Sequence, residues 1–205
     1  MVPSDPRTDS DLIAASNAGD AGAFEGLYYR YRDWVVRLAL RFTGHHEDAL
    51  DVLQDTFAYL LRKLPALRLS ARMTTFLYPV VRNLALARRR KRAREAGDPA
   101  RFDELPAAEE ATPPPTFVPD TGVTTGSAAE GLTNGRARAL GDLAAVLNVL
   151  PAPQREVLLM RFVDDMELSE IAASLSIPLG TVKSRLHHAL RTLRADERTR
   201  RYFEA

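Results

Sequence analysis

Wherever apolar residues recur regularly in this chain they do so at intervals of three and four, and no segment alternates apolar with polar in the manner of a strand. That pattern restricts the building blocks to amphipathic helices. A first stripe passes through Phe24, Leu27, Tyr28, Tyr31, Trp34, Val35, Leu38 and Phe42 and ends at Thr43-Gly44-His45-His46. A second falls on Leu50, Leu53, Phe57, Leu60, Leu61 and Leu64 until Pro65 breaks it. A third opens near Thr74 or Thr75, turns Phe76, Leu77, Val80, Val81 and Leu84 inward and runs into Arg88-Arg89-Arg90-Lys91-Arg92. Pro79 lies in its first turns, removes one backbone donor and predicts a gap or kink there.

From Gly97 to about Gly135 the periodicity gives way to Pro, Gly, Thr, Ala and acids, including Pro113-Pro114-Pro115. Such a composition predicts a flexible linker, and about 40 residues of it have a typical end-to-end distance of roughly 35 Å. Helical spacing resumes near Arg138 with Leu140, Leu143, Leu147 and Leu150, and Pro151-Ala152-Pro153 ends that segment. A further helix carries Val157, Leu158 and Phe162, and a short one after Asp164-Asp165 carries Leu168, Ile171, Ala172 and Leu175. A turn at Ser176-Ile177-Pro178 leads into a last helix with Val182, Leu186, Ala189, Leu190 and Leu193 inward. The expected fold is therefore all-α, with two small helical domains at 10–96 and 136–200 joined by a long flexible linker at 97–135.

Composition narrows the function. The chain has 205 residues and a formal net charge of only +1, so affinity for nucleic acid has to come from local clusters of Lys and Arg. It has no cysteine, which removes disulfides, thiolate metal sites and cysteine nucleophiles together. No stretch approaches the roughly 20 apolar residues of a membrane span, and the N-terminus carries no signal-like apolar run. Neither a phosphate loop, a Ser-His-Asp order nor a metal motif is present. A cytoplasmic protein that is not an enzyme, needs no cofactor or metal and does not insert into membranes is the expectation.

Three constellations carry positive information. The segment from about Leu168 to Leu193 has the layout of a helix-turn-helix whose outer face would present Leu179, Thr181, Lys183, Ser184, Arg185, His188 and Arg191 to the major groove. Ser176 occupies the turn position where glycine is commonest, a strained choice if its φ is positive. The second constellation is the basic run Arg82, Arg88, Arg89, Arg90, Lys91, Arg92 and Arg94, preceded by the polar and aromatic segment Arg68 to Tyr78. Cations beside aromatic faces suit single-stranded bases and phosphates, although Phe76 and Tyr78 suit a core equally well. The third is an acidic ridge, Asp48, Asp51 and Asp55 with Gln54, opposite the leucines of its helix. It fits a surface for a basic protein partner better than a catalytic or metal site, with a solvated face as the plain alternative.

Together these residues resemble the extracytoplasmic-function sigma factors of RNA polymerase, small sigma-70 relatives with only regions 2 and 4. The resemblance is carried by Tyr31-Arg32-Asp33, Glu47-Asp48-Ala49, Gln54-Asp55-Thr56-Phe57 and Arg82-Asn83-Leu84-Ala85 in the first domain. In the second it lies in Gln154-Arg155-Glu156-Val157, Leu168-Ser169-Glu170-Ile171-Ala172 and the specific string Gly180-Thr181-Val182-Lys183-Ser184-Arg185-Leu186. Leu50, Phe76 and Ala87 depart from the family's usual acid, tryptophan and aspartate.

The resemblance implies a factor that binds core RNA polymerase and directs initiation at promoter DNA. Asp48, Asp51, Gln54 and Asp55 would dock on the β′ clamp helices, and the second domain would meet the β flap. Arg68, Ser70, Arg72, Thr75, Phe76, Tyr78, Arg82, Asn83, Arg88 and Arg89 would hold and melt the −10 element. Leu179, Thr181, Lys183, Ser184, Arg185 and His188 would read the −35 element. An anti-sigma factor is a further partner the resemblance implies. Reading the residues alone leaves two rivals, an operator-binding regulator with a sensing or dimerising N-terminal half and a protein-interaction adaptor.

Overall fold

In a computed structural model, residues 5–96, 145 and 147–200 are described, and every regular element among them is helical. The first domain is built from α1 (Asp9–Asn17), α2 (Ala21–Thr43), α3 (His46–Lys63) and α4 (Met73–Glu95). The second contains α5 (Ala152–Phe162), α6 (Leu168–Leu175), α7 (Leu179–Ala195) and the single turn α8 (Glu197–Arg200). The expected linker at 97–135 and the start of the helix expected from Arg138 lie outside the described residues.

Helices α2, α3 and α4 form a three-helix bundle around Leu27, Val35, Leu38, Val52, Leu60, Leu77 and Val81. Gly44 ends α2 in a left-handed conformation, with its N–H donating to the Leu40 carbonyl at 2.9 Å. The stripe on α3 is rotated from the one read in the sequence. Ala49, Val52, Leu53, Thr56, Phe57 and Leu60 face inward, whereas Leu50 and Leu61 are 39% and 51% exposed. Counting leucines alone overlooked Ala49 and Thr56, whose hydroxyl is satisfied by the Val52 carbonyl at 2.7 Å.

Helix α1 escaped the sequence reading because one turn of Leu12 and Ile13 is too short to establish a period. Its signal was a capping box. The Thr8 hydroxyl accepts from the Asp11 N–H, and the Asp11 carboxylate accepts from the Thr8 N–H. Arg30 and Tyr31 of α2 both bond the Asp9 carboxylate, and Asn17 Nδ2 donates to the Leu67 carbonyl at 2.8 Å, so α1 braces the loop between α3 and α4.

The second domain does not have a wholly separate core. Leu147, Leu150, Leu158, Leu159, Ala189 and Leu193 form one cluster of their own. Val157, Met160, Met166, Ile171 and Val182 instead join the core of the first domain, with α6 packed on α4. Pro79 leaves α4 continuous. Its effect is a missing donor for the Thr75 carbonyl, the group that residue 79 would serve in a regular helix. Ser174 of α6 fills the gap, its hydroxyl donating to the Thr75 carbonyl at 3.3 Å.

Ser176 has φ 54°, so the turn between α6 and α7 imposes the left-handed conformation on a residue with a Cβ. Replacing Ser176 by Gly is expected to raise stability by about 0.5–1 kcal/mol, the relief of that strain less the extra freedom of glycine in the unfolded chain. A urea titration checks this, and an unchanged or lower midpoint would contradict it.

Candidate nucleic-acid and polymerase interfaces

The turn after α6 is closed by the Ile177 N–H, which donates to the Ala172 carbonyl at 3.0 Å, and Pro178 then starts α7. Val182, Ala189 and Leu193 are buried, which fixes the rotation of α7 and turns its other side to solvent. Leu179, Lys183, Ser184, His188 and Arg191 are exposed, and Thr181 and Arg185 are half-buried on the flanks of that face. All of the expected reading residues lie on this one helix.

The loop from Leu64 to Arg72 and the start of α4 bring the second constellation together. Arg68, Ser70 and Arg72 are exposed at the loop, and Asn83 is exposed on α4. Phe76 is half-buried and stacks on Tyr59 of α3 with ring centroids 6.4 Å apart, while Lys63 Nζ lies 5.3 Å from the Tyr59 centroid. Tyr59 and Lys63 were missed in the sequence. Their four-residue spacing was visible, but only the fold brings that pair beside Phe76 at the loop.

Tyr78 belongs to the core. It is 2% exposed, its ring packs edge-on against Phe42, and its hydroxyl donates to Glu156 Oε1 at 3.0 Å. Burial beside that carboxylate holds the phenol well above its ordinary pKa, so it remains a neutral donor. Thr75 is likewise buried, with its Oγ1 unpartnered among the described residues. In this conformation neither side chain is positioned to touch a base.

The acidic ridge divides. Asp48 is 8% exposed and bonds Arg92 at 2.9 Å, with Arg88 at 3.7 Å, and Asp51 pairs with Arg88 as well. Two of the four expected docking residues therefore tie α3 to α4, and Arg88, expected at phosphate, is engaged with them. Gln54 and Asp55 are exposed. Arg89 is half-buried and has an interaction within the chain.

A set of ionic contacts absent from the sequence reading crosses between the domains. Arg41 of α2 donates to Asp164 at 2.6 and 2.8 Å, with the two side chains only 9% and 4% exposed. Burial pushes the Asp164 carboxyl above its ordinary pKa even though Arg41 pulls the other way. Arg82 Nε donates to the same Glu156 oxygen as Tyr78, at 2.9 Å. Arg72 reaches the Asp165 carbonyl at 3.3 Å and Glu170 at 3.5 Å.

Residues 27–95 match the sigma-70 region 2 family and residues 140–193 match sigma-70, region 4. The chain is 30% identical over 199 residues to the ECF RNA polymerase sigma factor SigE of Mycolicibacterium smegmatis, covering 95% of this chain and 69% of that one. It is 28% identical over 176 residues to the ECF RNA polymerase sigma factor SigW of Bacillus subtilis, covering 86% and 89%. Among solved structures, CnrH in complex with the cytosolic domain of CnrY shares the fold with a TM-score of 0.59 at 22% identity, covering 91% of this chain and 95% of that one. The sigma factor RpoE of Bartonella quintana, solved with the anti-sigma factor NepR, gives 0.55 at 24% identity, covering 84% and 94%. Both halves of the helical framework and nearly the full length of the chain point the same way, and the chain belongs to the extracytoplasmic-function family of sigma-70 RNA polymerase sigma factors.

Proposed function

We propose that this sigma factor recognises its promoters in two parts, with α7 reading the −35 element and the α3–α4 loop together with α4 holding the −10 element as the duplex opens. Membership of the family makes promoter-specific initiation with RNA polymerase its general role. The observation that carries the two-part reading is the outward face of α7, where Leu179, Lys183, Ser184 and His188 stand exposed around Arg185 and Thr181 on a helix-turn-helix frame. Lys183 and Arg185 can donate to guanine edges, and Ser184 and Thr181 can meet bases or phosphate. The pair Tyr59 and Phe76, with Lys63 beside Tyr59, supports a seat for an unstacked base. Arg72, Arg82 and Asn83 would follow the backbone of the strand.

For the polymerase, Gln54 and Asp55 are the members of the ridge available for the β′ clamp helices, while Asp48 and Asp51 hold α4 in place beside them. The 97–135 segment is the proposed linker between domains 10–96 and 136–200, and the second domain would meet the β flap. An anti-sigma factor is a proposed partner, since the solved relative RpoE was captured with one. No described helix is long and apolar enough to cross a membrane, and the proposed site of action is the cytoplasm, where the polymerase works.

Transcription of sheared genomic DNA by core enzyme with the added chain, followed by mapping of 5′ ends, tests this directly. Starts should cluster downstream of a shared two-part motif, and starts unchanged by the chain would sink the reading. Lys183→Ala and Arg185→Ala should each weaken use of those promoters by about 1–3 kcal/mol for a lost base contact, roughly 5- to 150-fold. Their thermal midpoints should stay unchanged.

The divided ridge makes a separate prediction. Gln54→Ala with Asp55→Ala should lower affinity for core enzyme without moving the unfolding midpoint. Asp48→Ala should lower stability by about 0.5–1 kcal/mol and the midpoint with it, because Arg92 loses its acceptor and Arg88 keeps only Asp51. Equal effects of all three substitutions on core binding, with no change in stability, would contradict the division.

A further inference from the structure

In the loop between α3 and α4, Leu67 is buried and Leu69 half-buried, while Arg68 and Ser70 are exposed. The chain therefore turns two apolar side chains inward and two polar ones outward in alternation. Toward α1 the loop does not rest on solid packing. It faces that helix across a cavity of about 590 Å³, lined by Ile13, Ala14 and Asn17 on the helix and by Pro65, Leu67 and Leu69 on the loop. The Asn17 amide bridges the two sides, donating from Nδ2 to the Leu67 carbonyl at 2.8 Å. From Leu67 to Ala71 this is, among the described residues, the one hydrogen bond that another element makes to the loop.

We propose that Asn17 is a specificity-determining positioning residue of the −10 contact, which sets the direction in which Arg68 and Ser70 meet the displaced strand. This rests on the −10 assignment, and it adds a residue outside the set assigned to DNA. The peptide unit that carries the Leu67 carbonyl also carries the Arg68 N–H, and the unit is planar. Holding one end therefore fixes the other, and with it the line along which the Arg68 side chain leaves the loop. A carbonyl can only accept, so Asn17 must present its Nδ2 there and turn its Oδ1 elsewhere.

The helix behind Asn17 is held as a fixed reference. At its start, Asp9 accepts from Arg30 at 2.6 Å and from the Tyr31 hydroxyl, and Arg7 just before it bonds Asp5 at 2.7 Å and Asp20 at 3.0 Å. After its end, Gly19 takes the left-handed conformation with φ 94°, and Asp20 caps α2 by accepting from the Ala23 N–H at 3.2 Å. α1 is thus pinned to α2 on both sides of the buried Leu12 and Ile13, and its last residue, Asn17, is delivered to the loop. Stability alone gives little reason for an amide there. Asn17 Oδ1 is buried and has no partner among the described residues, a cost that an apolar side chain of similar size would avoid. What the amide does and a leucine could not do is orient the Leu67 carbonyl.

Two variants of the full chain test this. Asn17→Leu removes the donor, and Asn17→Asp sets an acceptor against the carbonyl in the same shape. Each is combined with core polymerase and with promoter pools in which either the −10 or the −35 element is randomised, and sequencing of barcoded transcripts reads the base preference at each position. Asn17→Leu should flatten the preference at the −10 bases met by the loop by about three- to ten-fold, the worth of one neutral hydrogen bond, and Asn17→Asp by at least as much. The −35 preference, the affinity for core enzyme and the thermal midpoint of Asn17→Leu should match the parent. Arg68→Ala should flatten the same positions, and adding Asn17→Leu to it should change little further, because one residue acts through the other. An unchanged −10 preference in both Asn17 variants, with Arg68→Ala effective, overturns the positioning role and leaves the −10 assignment standing. Full additivity with Arg68→Ala, or a uniform loss over all −10 sequences with a lowered midpoint, overturns it as well. No effect of Arg68→Ala or Ser70→Ala on the −10 preference removes the −10 assignment of the loop and the role of Asn17 with it.

Discussion

Pro79 stands within α4 without the N–H that the Thr75 carbonyl requires, and α4 is the helix on which α2, α3 and α6 all pack. A polar backbone group facing away from water needs a donor, and here the donor is Ser174 of the other domain. Arg72 at the N-cap of α4 and Arg82 further along the same helix are likewise completed from across the interface. α4 is thus a helix whose own hydrogen bonding and charge are unfinished by the domain that contains it. The second domain finishes them.

The same economy appears at the back of α4. Arg88 and Arg92 are held by Asp48 and Asp51, so part of the long basic tail stabilises the bundle and part of the acidic ridge is structural. Charge that looks like two opposing patches in the sequence becomes, in the fold, a lattice joining α3 to α4. What stays outside that lattice, Gln54 and Asp55 on one side and the loop with Arg68 and Ser70 on the other, is exposed to solvent.

Much of this was legible beforehand because it depends on local periodicity. The rotation of α7 follows from Val182, Ala189 and Leu193, and the turn before it was marked by Ser176 and Pro178, whose geometry the structure bears out with φ 54° at Ser176. The all-helical architecture followed from the same rule. Periodicity fails where partners are distant in the chain. Nothing local distinguishes Arg41 from the other arginines of α2, and Asp164 reads as a loop acid, yet the two meet across more than a hundred residues with almost no exposure. Phe76 and Tyr78, two residues apart on a helix, looked interchangeable as core or base platform. The fold separates them, because Tyr78 faces Phe42 and Glu156 while Phe76 meets Tyr59 beside the loop.

Distance measurement between spin labels addresses the central claim most directly, and the absence of native cysteine makes it straightforward. Labels at Leu61→Cys and Val149→Cys, both at exposed positions, report on the separation of the domains. Docking of the second domain on α4 requires one short, narrow distribution in the free chain. A broad distribution, or one centred at long distances, would contradict the account.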